Sequence, residues 1–183
     1  GVDMIFHCFF AQPDGSYRYD QGTAERLAES GVWVNPTHAL GISRRIELQA
    51  KKELGPLNKI DADMLDRIVN GHGDRIEAYS TMKEMGVRLI GGSDCGWGSY
   101  PFGDFQAELI SMSDFGLSPM EAILTGTWNA AQAIGMQDSL GTIETNKEAD
   151  FLLVEGNPLE DMECLRRVKA VVLGGRLVGP KQG

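Results

Sequence analysis

The sequence predicts an α/β fold: a parallel sheet built from strand–helix–strand units, followed by a small all-β tail. Two observations carry that expectation. Short β-branched apolar runs alternate with amphipathic helical stretches as far as Gly135, the rhythm of parallel βαβ units. Beyond Gly135 the pattern changes to short strands punctuated by glycine, which marks a second unit. The expected boundaries are residues 1–139 for the first and 140–183 for the second.

Residues 2–8 alternate as a buried strand and end on His7-Cys8. Residues 23–30 carry helical apolar spacing through Ala24, Leu27 and Ala28, and Gly31 suits a helix stop. Val32-Trp33-Val34 is a second strand, ended by Asn35-Pro36-Thr37. Helices are expected over 43–54 and, uninterrupted, over 61–85, with Asp61 as N-cap and Gly86 as stop. Residues 87–90 form the third strand. The interval from His7 to Asp94 exceeds by about 25 residues the ~62 that two repeats of a (β/α)8 barrel would take. An enlarged loop on the barrel's functional face accounts for the excess. Helices follow over 105–115 and 118–134, the second opening on Ser118-Pro119-Met120-Glu121 as cap, first-turn proline and first-turn acid. Residues 140–143, 149–154 and 168–178 read as strands, the last folded at Gly174-Gly175 into a hairpin.

The charge balance narrows the partners. A net charge of −9 and a pI near 4.8 exclude a nucleic-acid or anionic-membrane surface, which needs clustered Lys and Arg. No apolar run reaches the roughly 18 residues of a membrane span. The three cysteines are widely spaced and odd in number, a pattern suited to a reducing, cytoplasmic setting. Gly1 leads directly into a strand with no capping or turn residues, so a missing upstream segment is expected.

The stretch Val87-Arg88-Leu89-Ile90-Gly91-Gly92-Ser93-Asp94 delivers one carboxylate where a strand gives way to a loop. A buried carboxylate is costly unless paired or bound to metal, and at the carboxyl end of a barrel strand it suits a metal ligand or general base. A turn or N-cap role remains open for Asp94, as does a hydrogen-bonded core role for His7. His38 follows the second strand and would reach the barrel mouth as a substrate contact, or stay a loop histidine. Trp97, with Tyr100 and Phe102, could line a pocket or seal the barrel top. His72 reads as solvated, and Cys95 as a structural small residue.

The ordered set of segments resembles the amidohydrolase superfamily, nearest to its imidazolonepropionase-like and Xaa-Pro dipeptidase-like members. Gly1-Val2-Asp3-Met4-Ile5-Phe6-His7-Cys8 is similar to the segment whose His ends the sixth barrel strand, and Gly92-Ser93-Asp94-Cys95-Gly96 to the one whose Asp ends the eighth. Ser118 to Ile123 with Thr127-Trp128-Asn129-Ala130-Ala131, then Leu140 to Glu144 and Ala149-Asp150-Phe151, are similar to the following helix and the return into a small β-sandwich. Gly174-Gly175-Arg176-Leu177-Val178 resembles its terminal hairpin. Phe6, Ser93, Cys95 and Thr145-Asn146 depart from the pattern without removing a reacting group.

The resemblance implies the C-terminal part of a metal-dependent hydrolase TIM barrel, about three βα units, plus part of a small β-sandwich. It implies His7 and Asp94 as ligands of zinc or another divalent metal, and Asp94 as the group that moves the proton. The reaction implied is hydrolysis of a C–N bond in a cyclic amide, amidine or dipeptide-like small molecule by metal-activated water. The family's His-x-His, its bridging Lys or acid and a further His belong to earlier strands, and this chain has no segment matching them. A catalytic zinc usually takes three protein ligands, so the isolated chain is expected to bind metal weakly or not at all and to be inactive. Raw sheet edges lead us to expect a homo-oligomer, or pairing with the missing N-terminal portion. The alternative is a non-catalytic scaffold or assembly module derived from the same fold.

Overall fold

Strands β1 (Met4–Phe6), β2 (Trp33–Asn35) and β3 (Arg88–Leu89) lie side by side in parallel, with Ile5 opposite Val34 and Val34 opposite Leu89. This is a computed structural model, and it describes residues 1–10, 12, 16–98 and 100–179. Parallel neighbours need a crossover. Between β1 and β2 it is helix α1 (Gln21–Ser30); between β2 and β3 it is α2 (His38–Leu54), α3 (Lys59–Asn70) and α4 (His72–Glu84). Helix α5 (Phe105–Ser111), a 3-10 turn over Met112–Phe115, α6 (Pro119–Thr125) and α7 (Trp128–Ala133) complete the first unit. The arrangement is a partial parallel α/β barrel, as the sequence led us to expect.

The core forms where the sheet meets the helices: Val34 and Leu89 pack with Ala24, Leu27, Tyr79, Met82, Met112 and Phe115. Local chemistry sets most helix ends. The Asp20 carboxylate accepts the Thr23 N–H at 2.7 Å and Gly31 turns left-handed after α1. Ser118 and Glu121 form a reciprocal capping box behind Pro119.

The helices depart from expectation in four places. The single helix expected over 61–85 is broken at Gly71 into α3 and α4. Asn58, not Asp61, caps α3, and Asp61 instead turns inward to pair with Arg44 at 3.1 Å and with Lys51. Helix α2 begins at His38, five residues before the expected start. The helix expected over 118–134 is interrupted at Gly126, where a Cβ would lie 2.8 Å from Leu109 and 2.9 Å from Phe105, so close packing of α5 requires the glycine.

The second sheet runs β4 (Phe151–Val154), β5 (Val168–Leu173) and β6 (Arg176–Leu177), antiparallel throughout, with a 3-10 turn over Met162–Arg166. Gly174 and Gly175, at φ 54° and 73°, supply the two positive torsions of its tight hairpin. Residues 140–143 are not a strand. They bend round the Lys147 ammonium, which donates to the Gln137 carbonyl and the Thr142 hydroxyl, both at 2.7 Å. Arg166 ties the tail to Asp104 of the first unit. Residues 180–183 of the expected tail unit lie outside the described residues. No helix among the described residues is long and apolar enough to cross a membrane.

Candidate active site

Each parallel strand is followed, at its carboxyl end, by a residue in the left-handed region: His7 at φ 56°, Thr37 at 49° and Asp94 at 49°. Such torsions are uncommon outside glycine and cost about 1–3 kcal/mol each. Three on one rim are held by their neighbours. The His7 N–H donates to the Asn35 carbonyl at 3.1 Å, and the Thr37 N–H to Asn35 Oδ1 at 3.2 Å. Asn35 is itself buried against Gly92, where a Cβ would lie 2.0 Å from its Nδ2. The glycine pair before Asp94 is thus the space into which Asn35 fits.

That rim brings the two strand-end candidates together. His7 Nε2 lies 3.3 Å from Asp94 Oδ2, both side chains nearly half exposed. On the other side of the ring, His7 Nδ1 is 2.6 Å from Thr37 Oγ1. The Thr37 hydroxyl already donates to the Pro36 carbonyl at 2.7 Å, so Nδ1 carries the ring proton and donates to it. In the tautomer that leaves Nε2 unprotonated, its lone pair faces a carboxylate oxygen. Two acceptors face each other, an arrangement completed by a proton or a cation.

The pair opens on a cavity of about 590 Å³. Its apolar walls are Phe9, Leu40, Met64, Ile68 and Trp97. Three arginines also reach it. Arg44 is spoken for by Glu47 at 2.7 Å and Asp61 at 3.1 Å, and Arg67 is exposed. Arg75 is half-buried over the Phe9 ring at 5.2 Å, with no acidic partner among the described residues, and burial holds its guanidinium below the ordinary range. The Tyr17 hydroxyl, also on the wall, is buried without a hydrogen-bond partner among those residues, and burial raises its pKa.

His38 does not line this cavity. It is 4% exposed; its Nε2 is 3.0 Å from Asp114 Oδ2 and its ring stacks on His72 at 5.6 Å and against Phe115 at 4.6 Å. Burial lowers its pKa to about 4, against the opposing pull of Asp114. His72 is accordingly half-buried against it rather than solvated. Trp97 does stand on the wall, half exposed. Among the described residues no group of three or more His, Cys, Asp or Glu converges on a point where a metal could sit.

Sequence reasoning passed over four residues of this region: Tyr17, Thr37, Arg75 and Glu108. Glu108 is completely buried, its two carboxylate oxygens accepting the backbone N–H groups of His38 at 3.0 Å and Ala39 at 2.8 Å. Burial pushes its pKa up to about 7, outweighing those two hydrogen bonds. One signal could have found it. Glu108 occupies the same helical face as Phe105, Leu109 and Met112, and an acid on an apolar stripe needs a partner.

Comparison with known proteins gives the family and the fold. A family model described as "Amidohydrolase family" matches residues 13–178. Ochratoxinase from Aspergillus niger is 35% identical over 170 residues, 90% of this chain and 33% of that enzyme. Imidazolonepropionase from Syntrophobacter fumaroxidans is 36% identical over 80 residues, 41% of this chain and 18% of that protein. Among solved structures, a Xaa-Pro dipeptidase with methionine bound in its active site superposes with a TM-score of 0.76 at 27% identity, covering 98% of this chain and 40% of that one. The A. niger ochratoxinase structure superposes with a TM-score of 0.71 at 26% identity, over 100% of this chain and 38% of that one. The chain spans about a third of the length of the ochratoxinases it matches.

Proposed function

The chain belongs to the amidohydrolase family, and on that premise we propose that it carries part of the reacting centre of a metal-dependent hydrolase cleaving a C–N bond. The observation that carries the reading is the His7 Nε2–Asp94 Oδ2 pair at the carboxyl ends of parallel strands. The donor set suits a borderline or hard divalent cation such as zinc: a neutral imidazole nitrogen with its lone pair outward, and a carboxylate oxygen beside it. His7 and Asp94 would hold the metal, and when bound it supplies a water acidified toward neutrality and a polarised carbonyl.

The residues of this chain do the rest. Thr37 fixes the tautomer and direction of His7. Asp94 accepts the proton of the attacking water and returns it to the leaving nitrogen. Phe9, Leu40, Met64, Ile68 and Trp97 give the open cavity an apolar lining. Of the three substrate classes, Arg75 and the Tyr17 hydroxyl, which have no acidic and no hydrogen-bond partner respectively among the described residues, support a dipeptide-like amide with a free carboxylate for both to bind.

With two ligands from this chain against the usual three of a catalytic zinc, the chain alone binds zinc weakly and turns over nothing at a useful rate. Calorimetric titration with zinc tests both parts. The expected result is a dissociation constant weaker than about micromolar, abolished by His7→Asn and by Asp94→Asn. Binding indifferent to both substitutions would sink the site. Sub-micromolar affinity, or metal-dependent hydrolysis of an N-acyl amino acid by the chain, would overturn its incompleteness.

A further inference from the structure

The first N–H groups of a helix have no partner inside it. The residue just before the first turn ordinarily directs its side-chain oxygen onto them, as Asp20 does for α1 and Ser118 for α6. Thr37 occupies that place before α2 and caps nothing. Held left-handed, its hydroxyl is committed to the Pro36 carbonyl and to His7 Nδ1. The capping task falls instead to Glu108, 70 residues after His38, whose two oxygens take the N–H groups of His38 and Ala39.

That substitution of a remote cap for a local one is expensive. Nothing of Glu108 is exposed, and no cation among the described residues faces it. A buried carboxylate without a counter-charge is among the costliest groups to place in a protein, whereas Thr37 could cap α2 at far lower cost by turning its hydroxyl round. What the arrangement secures is the Thr37 hydroxyl itself, kept available for the imidazole. We propose that Glu108 is a positioning residue for His7: by capping α2 from α5 it holds Thr37 in the conformation that fixes the His7 ring and aims Nε2 at Asp94. The inference rests on reading His7 and Asp94 as the reacting pair.

Without the Glu108 carboxylate, two N–H groups at the start of α2 are orphaned. Thr37 can then satisfy one of them as an ordinary cap, by moving its backbone out of the left-handed region and turning its hydroxyl toward the first turn. His7 Nδ1 is left without an acceptor, and Nε2 is no longer aimed.

The test compares Glu108→Gln, Glu108→Asp, Thr37→Val and the double variant Glu108→Gln/Thr37→Val in the full chain. The first keeps shape and loses an acceptor; the second keeps charge and falls one carbon short. Two readouts are taken: the ring-nitrogen NMR shifts of His7, resolvable because the chain has only three histidines, and the zinc dissociation constant by competition with a chromophoric chelator. Wild type should keep Nδ1 of His7 protonated, with Nε2 carrying a proton shared with Asp94 when metal is absent and none when zinc is bound. Each single variant should show mixed tautomers and bind zinc about 10–100-fold more weakly, the usual loss when a ligand's supporting hydrogen bond is removed. The double variant should match Thr37→Val within about twofold, because Glu108 acts through Thr37. A folded Glu108→Gln that is less stable yet keeps the wild-type tautomer and affinity would show a merely structural cap and overturn the proposal. An unchanged tautomer in Glu108→Asp, should the glutamine variant not fold, or in Thr37→Val, does the same. Zinc binding indifferent to His7→Asn and to Asp94→Asn, with a His7 tautomer that still follows Glu108, would refute the metal-site reading and leave the coupling standing.

Discussion

Between pH 4.5 and 7 two buried groups pull the stability of this chain in opposite directions, and Glu108→Gln should separate them. Burial raises the Glu108 carboxyl from 4.5 to about 7, so the native state holds this proton more tightly than the unfolded chain. Its stabilising contribution is complete below pH 4.5 and lost as the pH climbs to about 7, a loss of about 3 kcal/mol at 1.36 kcal/mol per pH unit. His38 behaves conversely. Burial lowers its pKa from 6.5 to about 4, so the native state refuses a proton that the unfolded chain accepts. That contribution is complete above pH 6.5 and lost as the pH falls to about 4, again about 3 kcal/mol. Over the shared window the slopes cancel and wild-type stability is nearly flat. Glu108→Gln removes one slope, leaving stability that rises by about 3 kcal/mol from pH 4 to 6.5; His38→Asn leaves the opposite slope. Urea unfolding at half-unit steps of pH measures both, the substitution's own constant cost dropping out of the slope. Depressed carboxylates such as Asp61 and Asp161 act equally in every variant and cancel in the difference. A wild-type minus Glu108→Gln difference that stays constant from pH 4.5 to 7.5 would refute the reasoning, because it would mean Glu108 titrates like an exposed acid.

Arg75→Met should weaken binding of an N-acyl amino acid to the chain by about 10–100-fold, the value of one charge-assisted hydrogen bond. Calorimetry with the acid and its carboxamide checks this; equal effects on both would remove Arg75 from carboxylate binding. Phe115→Ala should cost about 3–5 kcal/mol, since Phe115 is fully buried with its ring 4.6 Å from His38 and 4.7 Å from Tyr79; a loss under about 1 kcal/mol in urea unfolding would mean the site has collapsed to fill the gap. Light scattering should find the 20.0 kDa chain associated, because β1 and β3 leave open sheet edges and Phe151, Leu152 and Leu153 stay substantially exposed. A monodisperse monomer that unfolds cooperatively would count against that association.

What the sequence made legible was what short-range physics decides. Helix α1 could be placed to within two residues because its apolar spacing lies inside it and its stop, Gly31, follows directly. His7 and Asp94 stood out because each interrupts an apolar strand with a polar group at its carboxyl end. The misreadings share one cause, a partner distant in the chain. Helix α2 starts earlier than its local pattern suggests because its cap is on α5. Once it starts at His38, that side chain belongs to a helix packed on the core and meets Asp114 and Phe115, 76 and 77 positions on, rather than the barrel mouth. Asp61 looked like a cap because Asn58 was overlooked three residues before it, and its real partners, Arg44 and Lys51, lie on the preceding helix.

Thr37 shows why this failure concentrates at the site. Read locally, it is a threonine before a helix, and the expectation is a hydroxyl turned toward the first turn. The structure inverts that expectation, and the inversion is stable only because a buried acid from α5 takes over the orphaned N–H groups. A residue that breaks a local rule, together with a distant residue that absorbs the consequence, is a stronger indication of function than either alone. The costs of strain and of a buried carboxylate fall where a helix cap needed neither, and the one thing they jointly produce is a histidine nitrogen aimed at Asp94.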